Sequence, residues 1–193
     1  MRVQLVRAAA TAVVAGMLAA GIFSTGAQAA DGMKMSGWLP YWLMNTSTTD
    51  AVSNSDLFED VSPFWFDAQV ESSKTSSVGI MSNSLSWGTR PAILSSLQQN
   101  GIKVLPSITD GTPARHMASV LATPDKRTAF VGQITALVNN NGYDGIDLDF
   151  EKFAFNDGQQ TWATTKPASV RFIAELATTL RATGKVMSAT VPP

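Results

Sequence analysis

Between Tyr143 and Glu151 the chain places four carboxylates, Asp144, Asp147, Asp149 and Glu151, with Ile146, Leu148 and Phe150 among them. From Ile146 to Glu151 apolar and acidic residues alternate strictly. Successive side chains of a strand point to opposite faces, so a strand gathers Asp147, Asp149 and Glu151 in one row and the three apolar residues in another. A helix would scatter both classes around its axis and leave no usable apolar stripe. The pattern calls for a strand.

Three carboxylates in one inward row are costly, because like charges a few ångströms apart cannot all ionise freely and burial raises their pKa values. A solvated edge strand would show mixed charges with Lys, Thr or Ser, since like charges side by side destabilise it. A calcium loop would need turn geometry and carbonyl ligands, which a regular strand does not offer. The reading that fits is a proton-handling site, in which crowding keeps one carboxyl protonated so that it can act as an acid.

Asp144-x-x-Asp147-x-Asp149-x-Glu151 resembles the DxxDxDxE signature of glycoside hydrolase family 18, which holds chitinases, related N-acetylglucosaminidases and some non-catalytic lectins. The resemblance implies a (β/α)8 barrel with this stretch as its fourth strand. It implies that Glu151 is the general acid/base at the carboxyl end of that strand, the end where barrel active sites lie. It also implies that Asp149 orients the sugar's acetamido N–H and that Asp147 shares a proton with Asp149, a coupled set that titrates as a group. Asp144 falls off the inward row and is expected to be structural.

The amino end reads as an export signal over residues 1–29. Arg2 and Arg7 precede an apolar run from Ala8 to Phe23, and Ala27-Gln28-Ala29 forms a small-x-small cleavage site. The run is short for a ~20-residue membrane span. A secreted, extracellular product is therefore expected, with no stable membrane insertion after cleavage. Residues 30–193 are the expected family 18 domain. With no cysteine, there is neither a disulfide framework nor a thiolate metal site. A formal net charge of −1 and no basic patch give no sign of a nucleic-acid partner. Neither a metal nor an organic cofactor is implied.

Along the mature chain, 37–42 reads as a first strand, shortened or bulged at Pro40. Its Gly37-Trp38-x-Pro40-x-Trp42 pattern is similar to that of the family's first strand. Trp38 and Trp42 suit core packing and sugar contact equally, since aromatic faces match the flat apolar faces of pyranose rings. Residues 45–56 read as a loop leading into a short helix. Residues 60–66 read as strand two, ending in Phe66, which joins Trp38 as a candidate substrate contact. A long polar loop over 67–88, with room for a small hairpin, leads to a helix over 89–100 with Thr89 as cap and Gly101 as stop. Ile93, Leu94 and Leu97 form its buried stripe. Strand three spans 102–108. The family's Ser-x-Gly-Gly at the end of that strand becomes Ser107-x-Thr109-Asp110 here, a departure that looks more like the branch acting on cell-wall or spore glycans.

A helix over 125–140, with Phe130, Ile134, Leu137 and Val138 inward, precedes the acidic strand. A loop over 152–166 follows it. Next come an amphipathic helix over 167–183, carrying Val170, Ile173, Leu176, Ala177 and Leu180, and a fifth strand over 186–191. Strands alternating with helices mark an α/β chain. No Gly-x-Gly-x-x-Gly follows the first strand, which sets a Rossmann sheet aside. Only about strands 1–5 of the barrel are expected, since the sequence falls short of the ~250 residues typical of a complete one. In the family, strand six brings a tyrosine to the acetamido group and the last strand a tryptophan beneath the cleaved sugar. His116, the single histidine, is expected at the surface. Trp65, Trp87 and Trp162 could each line a cleft or fill the core.

The function implied is a hydrolase of β-1,4-linked N-acetylglucosamine glycans: chitin, its oligosaccharides or peptidoglycan. The alternatives are a lectin-like glycan binder on the same fold and a non-enzymatic surface protein. An intact Glu151 favours the hydrolase.

Overall fold

The computed structural model describes residues 32, 34–71, 77–82 and 89–191. The export segment expected over 1–29 and Trp87 lie outside them. Five parallel strands run side by side in the order β1 (Met35–Leu39), β2 (Phe58–Val70), β5 (Ser107–Asp110), β6 (Gly145–Asp149) and β7 (Val186–Ala189). Two shorter strands also pair with β2: β3 (Val78–Ser82) antiparallel and β4 (Lys103–Val104) parallel. The sheet curls into half of a (β/α) barrel with helices on its outer side, the fold class expected for strands one to five.

The helices are α1 (Met44–Ser53), α2 (Arg90–Gln99), α3 (His116–Ala122), α4 (Pro124–Asn140), α5 (Lys152–Phe155) and α6 (Trp162–Arg181). Ile146, Leu148 and Phe150 point to this outer layer and are buried. The Phe150 ring stacks with Phe130 of α4 and Phe172 of α6 at centroid distances of 6.2 Å each, and those two rings lie 5.6 Å apart. Three mutually stacked rings, each worth about 1.5–3 kcal/mol of burial, fix the backbone on which the carboxylates sit.

Several elements depart from the sequence reading, each for a local reason. The first strand stops at Leu39, because Pro40 caps a 3-10 turn over Tyr41–Leu43 that runs straight into α1. β2 instead runs through Pro63 to Val70. Pro63 falls between the pairing of Val61 with Val104 and of Phe64 with Ser107, where the neighbouring strand is itself broken into β4 and β5. The hairpin allowed for in the long loop is present as β2–β3. Helix α6 begins at Trp162, and Pro167 sits inside it rather than at its start. Pro167 is the sixth residue of the helix, past the first turn, and with no N–H it cannot donate to the carbonyl four residues back. Its buried face is Ala168, Phe172, Leu176, Ala177 and Leu180, whereas Val170 is exposed. Helix α3 was not anticipated. His116 opens it half-buried, not on the open surface.

Candidate active site

The inner face of the half-barrel is polar where a closed core would be apolar. At one level the ladder places Phe64, Ser107, Asp147 and Ser188 side by side, and at the next Thr109 and Asp149. The period-two alternation thus brings Asp147 and Asp149 to the inner face as expected. The strand itself ends at Asp149, and Glu151 follows at the entry to α5, exposed to solvent.

Asp147 is 3% exposed and fully engaged. Its Oδ2 accepts from Ser107 Oγ at 2.7 Å and from Trp38 Nε1 at 3.2 Å, and its Oδ1 accepts from Ser188 Oγ at 2.6 Å. Burial pushes the Asp149 carboxyl above the ordinary aspartate range, and the nearby charges of Glu151 and Asp147 push it further. Thr190, just after β7, works weakly the other way, its hydroxyl near Asp149 but short of full hydrogen-bond geometry. Lower on the same face, Asp60 of β2 is raised mainly by burial, with Asp147 adding to the effect.

Beside Asp149 and Glu151 lies a cleft of about 340 Å³, also lined by Thr109, Asp110, Lys152, Phe155 and Asn156. Asp110 and Thr109 occupy the place of the family's two glycines. Asp110 is nine-tenths buried, accepts from Thr112 N at 2.9 Å and Oγ1 at 2.6 Å, and is raised chiefly by burial. Thr109 Oγ1 donates to Asp67 Oδ1, joining the ends of β5 and β2. Lys152 Nζ donates to Thr112 O, and Asp157 accepts from Arg115 N at 2.7 Å. These bonds tie the loop after β5 to the segment after Glu151. Asp144 lies apart from the cleft. Its Oδ2 accepts from Val104 N and Gln98 Nε2, both at 2.9 Å, which joins β4 to α2.

The aromatic candidates separate clearly. Trp38 is 57% exposed, and its ring and that of Trp42 each lie 6.3 Å from Phe64. Phe66 is 1% exposed, packed against Tyr143 and under the Arg90 guanidinium. It offers a sugar no face, which corrects its assignment as a substrate contact. The cause is a register shift between Phe64 and Phe66, a bulge that turns Phe66 outward opposite Ile108. Trp65 is fully buried beside Tyr143. Trp162 lines a different, apolar hollow of about 400 Å³ between α6 and β7 that holds none of the carboxylates. Phe155 is the aromatic residue of the cleft, and it was not among the site residues expected from the sequence. It is 64% exposed at the rim, and only the nearness of an aromatic to Glu151 in sequence could have pointed to it.

The family model of the glycosyl hydrolases family 18 matches residues 48–193. Among solved structures, the chain is similar to a chitinase from Bacteroides thetaiotaomicron, at 15% identity and TM-score 0.61, covering 82% of this chain and 47% of that one. It is similar to a Group II chitinase catalytic domain from Ostrinia furnacalis, crystallised with a chitooligosaccharide, at 18% identity and TM-score 0.62, with 82% and 43% covered. It is also similar to the spore cortex-lytic enzyme SleL of Bacillus megaterium, at 14% identity and TM-score 0.57, with 81% and 34% covered. At these identities the likeness is one of fold. The chain spans less than half the length of each. A comparison with curated protein sequences gives no match.

Proposed function

Since this chain belongs to glycoside hydrolase family 18, we propose that it carries the acid/base apparatus of a secreted hydrolase that cleaves β-1,4-linked N-acetylglucosamine glycans with retention of configuration. One observation carries this reading: the inner row holds an engaged carboxylate and a neighbour pushed upward by burial and like charge, and a solvent-reachable glutamate follows them beside a cleft. Those are the environments that one proton donor and its two supporting carboxyls need.

The exposed Glu151 protonates the glycosidic oxygen as the bond breaks. Family 18 enzymes use substrate assistance, so no second side chain attacks the anomeric carbon. The oxygen of the sugar's own acetamido group does so and closes an oxazolinium ring. Asp149 accepts the acetamido N–H and offsets the positive charge that develops. Water then opens the ring, and Glu151 takes up the proton that it releases. Trp38, Trp42 and Phe155 present exposed rings on which sugar faces can lie. The carboxylates at the cleft, with Asp110 where the family has glycine, fit a hydrophilic glycan of the cell-wall or spore type as well as chitin.

The test is stereochemical. The full-length protein should release product whose β anomer appears first by NMR. An oligosaccharide with hydroxyl in place of the 2-acetamido group at the cleaved sugar should not turn over. An α anomer at early times, or brisk cleavage of the hydroxyl analogue, would rule the mechanism out. Glycan binding without any turnover would point to the lectin-like alternative.

A further inference from the structure

Asp67 is a further carboxyl on the inner face, and the mechanism above does not use it. It belongs to a row that crosses the sheet: Asp67 of β2 pairs with Thr109 of β5, and Thr109 pairs with Asp149 of β6. The bulge that turns Phe66 outward also turns Asp67 inward, since successive residues of a strand take opposite faces. Thr109 Oγ1 donates to Asp67 Oδ1. The other oxygen, Oδ2, has no side-chain partner among the described residues, and Asp67 is only half-buried. On its far side Asp67 pairs with Met81 of β3, which is exposed and whose thioether cannot donate.

The row sets a spacing. Neighbouring strands lie about 4.8 Å apart, so the backbones at Asp67 and Asp149 stand about 10 Å apart. A pyranose ring with a substituent on each side fills such a gap. In a sugar whose C2 acetamido group meets Asp149, the atom across the ring from C2 is C5, which carries the C6 hydroxymethyl group. That hydroxyl can donate, and Asp67 Oδ2 is an acceptor on the same face of the sheet. Thr109 stands between the two carboxyls with its hydroxyl committed to Asp67, so it fixes that side chain and does not compete for the sugar. Glycine, which the family pattern has at position 109, offers no side chain for this.

Resting on the hydrolase reading above, we propose that Asp67, held by Thr109, is a specificity-determining residue: its Oδ2 accepts the 6-hydroxyl of the N-acetylglucosamine unit whose acetamido group sits on Asp149. The contact favours chains with a free hydroxyl at C6. It disfavours glycans acylated at O6, in which the donor is gone and the added group crowds the carboxyl and Met81. Asp67 takes no part in the proton transfers.

The experiment compares two substrates on each protein: a chitooligosaccharide and its analogue with a 6-deoxy sugar at the cleaved unit. The proteins are the full-length wild type, Asp67→Ala, Asp67→Asn and Thr109→Val. The ratio of the two kcat/KM values is read on one sample, so partial misfolding of a variant cancels. Wild type should favour the natural chain by about tenfold, the size of one hydrogen bond. Asp67→Ala should bring the ratio close to unity by slowing only the natural chain. Asp67→Asn keeps an acceptor oxygen and should retain part of the preference. Thr109→Val releases the carboxyl side chain and should lower it. A wild type that cleaves both substrates equally would overturn the proposal and leave the hydrolase reading standing. So would a tenfold preference that survives in Asp67→Ala. If the wild type cleaves neither, the dissociation constants of the two oligosaccharides decide. An Asp67-dependent preference for the natural chain would then uphold the contact and sink the hydrolase reading, and equal affinities would overturn the contact as well.

Discussion

The first carboxylate of the DxxDxDxE motif makes a sharp test, because the structure separates it from the other three. Asp144 reaches no substrate cleft; it holds Val104 N–H and Gln98 Nε2 on one oxygen. Val104 is fully buried, so Asp144→Ala leaves its N–H without a partner, at a cost of about 1–3 kcal/mol. The Gln98 bond is exposed and adds little. For a domain of this size, 1 kcal/mol moves Tm by roughly 2–4 °C, so Asp144→Ala should lower Tm by roughly 2–12 °C. Asp144→Asn keeps an acceptor oxygen and should lose less. The assay pairs thermal denaturation with hydrolysis, measured well below the melting onset, in the full-length protein. Activity at that temperature should stay within a few-fold of wild type. An Asp144→Ala protein with an unchanged Tm and a tenfold or greater loss of turnover would refute the assignment and return Asp144 to the chemistry.

Gly145 opens β6 with no room for a side chain: a Cβ there would meet Val186 O at 2.1 Å and Val186 C at 2.7 Å. Gly145→Ala should therefore separate β6 from β7 and lower both Tm and soluble yield sharply; a variant that melts like wild type would show that the two strands are not in this register. Asp110 is raised by burial, so its folded form favours the proton, and the stability it contributes is present below the ordinary aspartate value and lost as pH rises through the raised value. Asp110→Asn, which keeps an acceptor for Thr112, should raise Tm near pH 7 and show no advantage near pH 3, as read by denaturation at the two pH values; an equal gain at both would contradict it.

The acidic strand was legible because its two faces meet opposite surroundings, helices on one side and the barrel interior on the other. That contrast writes a period of two into the sequence between Ile146 and Asp149. The same rule failed at Phe66. Alternation from Phe64 puts Phe66 on the inner face, but the bulge between them adds a residue and reverses its side. A bulge leaves no mark in hydrophobicity, and here Trp65 and Phe66 are both buried against Tyr143. Prolines misled in both directions. Pro40 ended a strand that was read through it, whereas Pro63 and Pro167 lie inside elements that were expected to weaken or start there. In each case tertiary pairing, invisible in one sequence, decided whether the missing N–H mattered. The donors on Asp147 were hidden for a related reason. Trp38, Ser107 and Ser188 come from three separate strands, and only the sheet order brings them to one carboxylate.

The most direct measurement is hydrolysis of chitooligosaccharides by the full-length protein and its Glu151→Gln variant, with oligosaccharide affinity measured on both. Glutamine keeps the size of the side chain but cannot protonate the leaving oxygen, and general acid catalysis contributes about 10²–10⁴-fold. Turnover of Glu151→Gln should fall on that scale with binding retained. A Glu151→Gln protein that hydrolyses within a few-fold of wild type would contradict it.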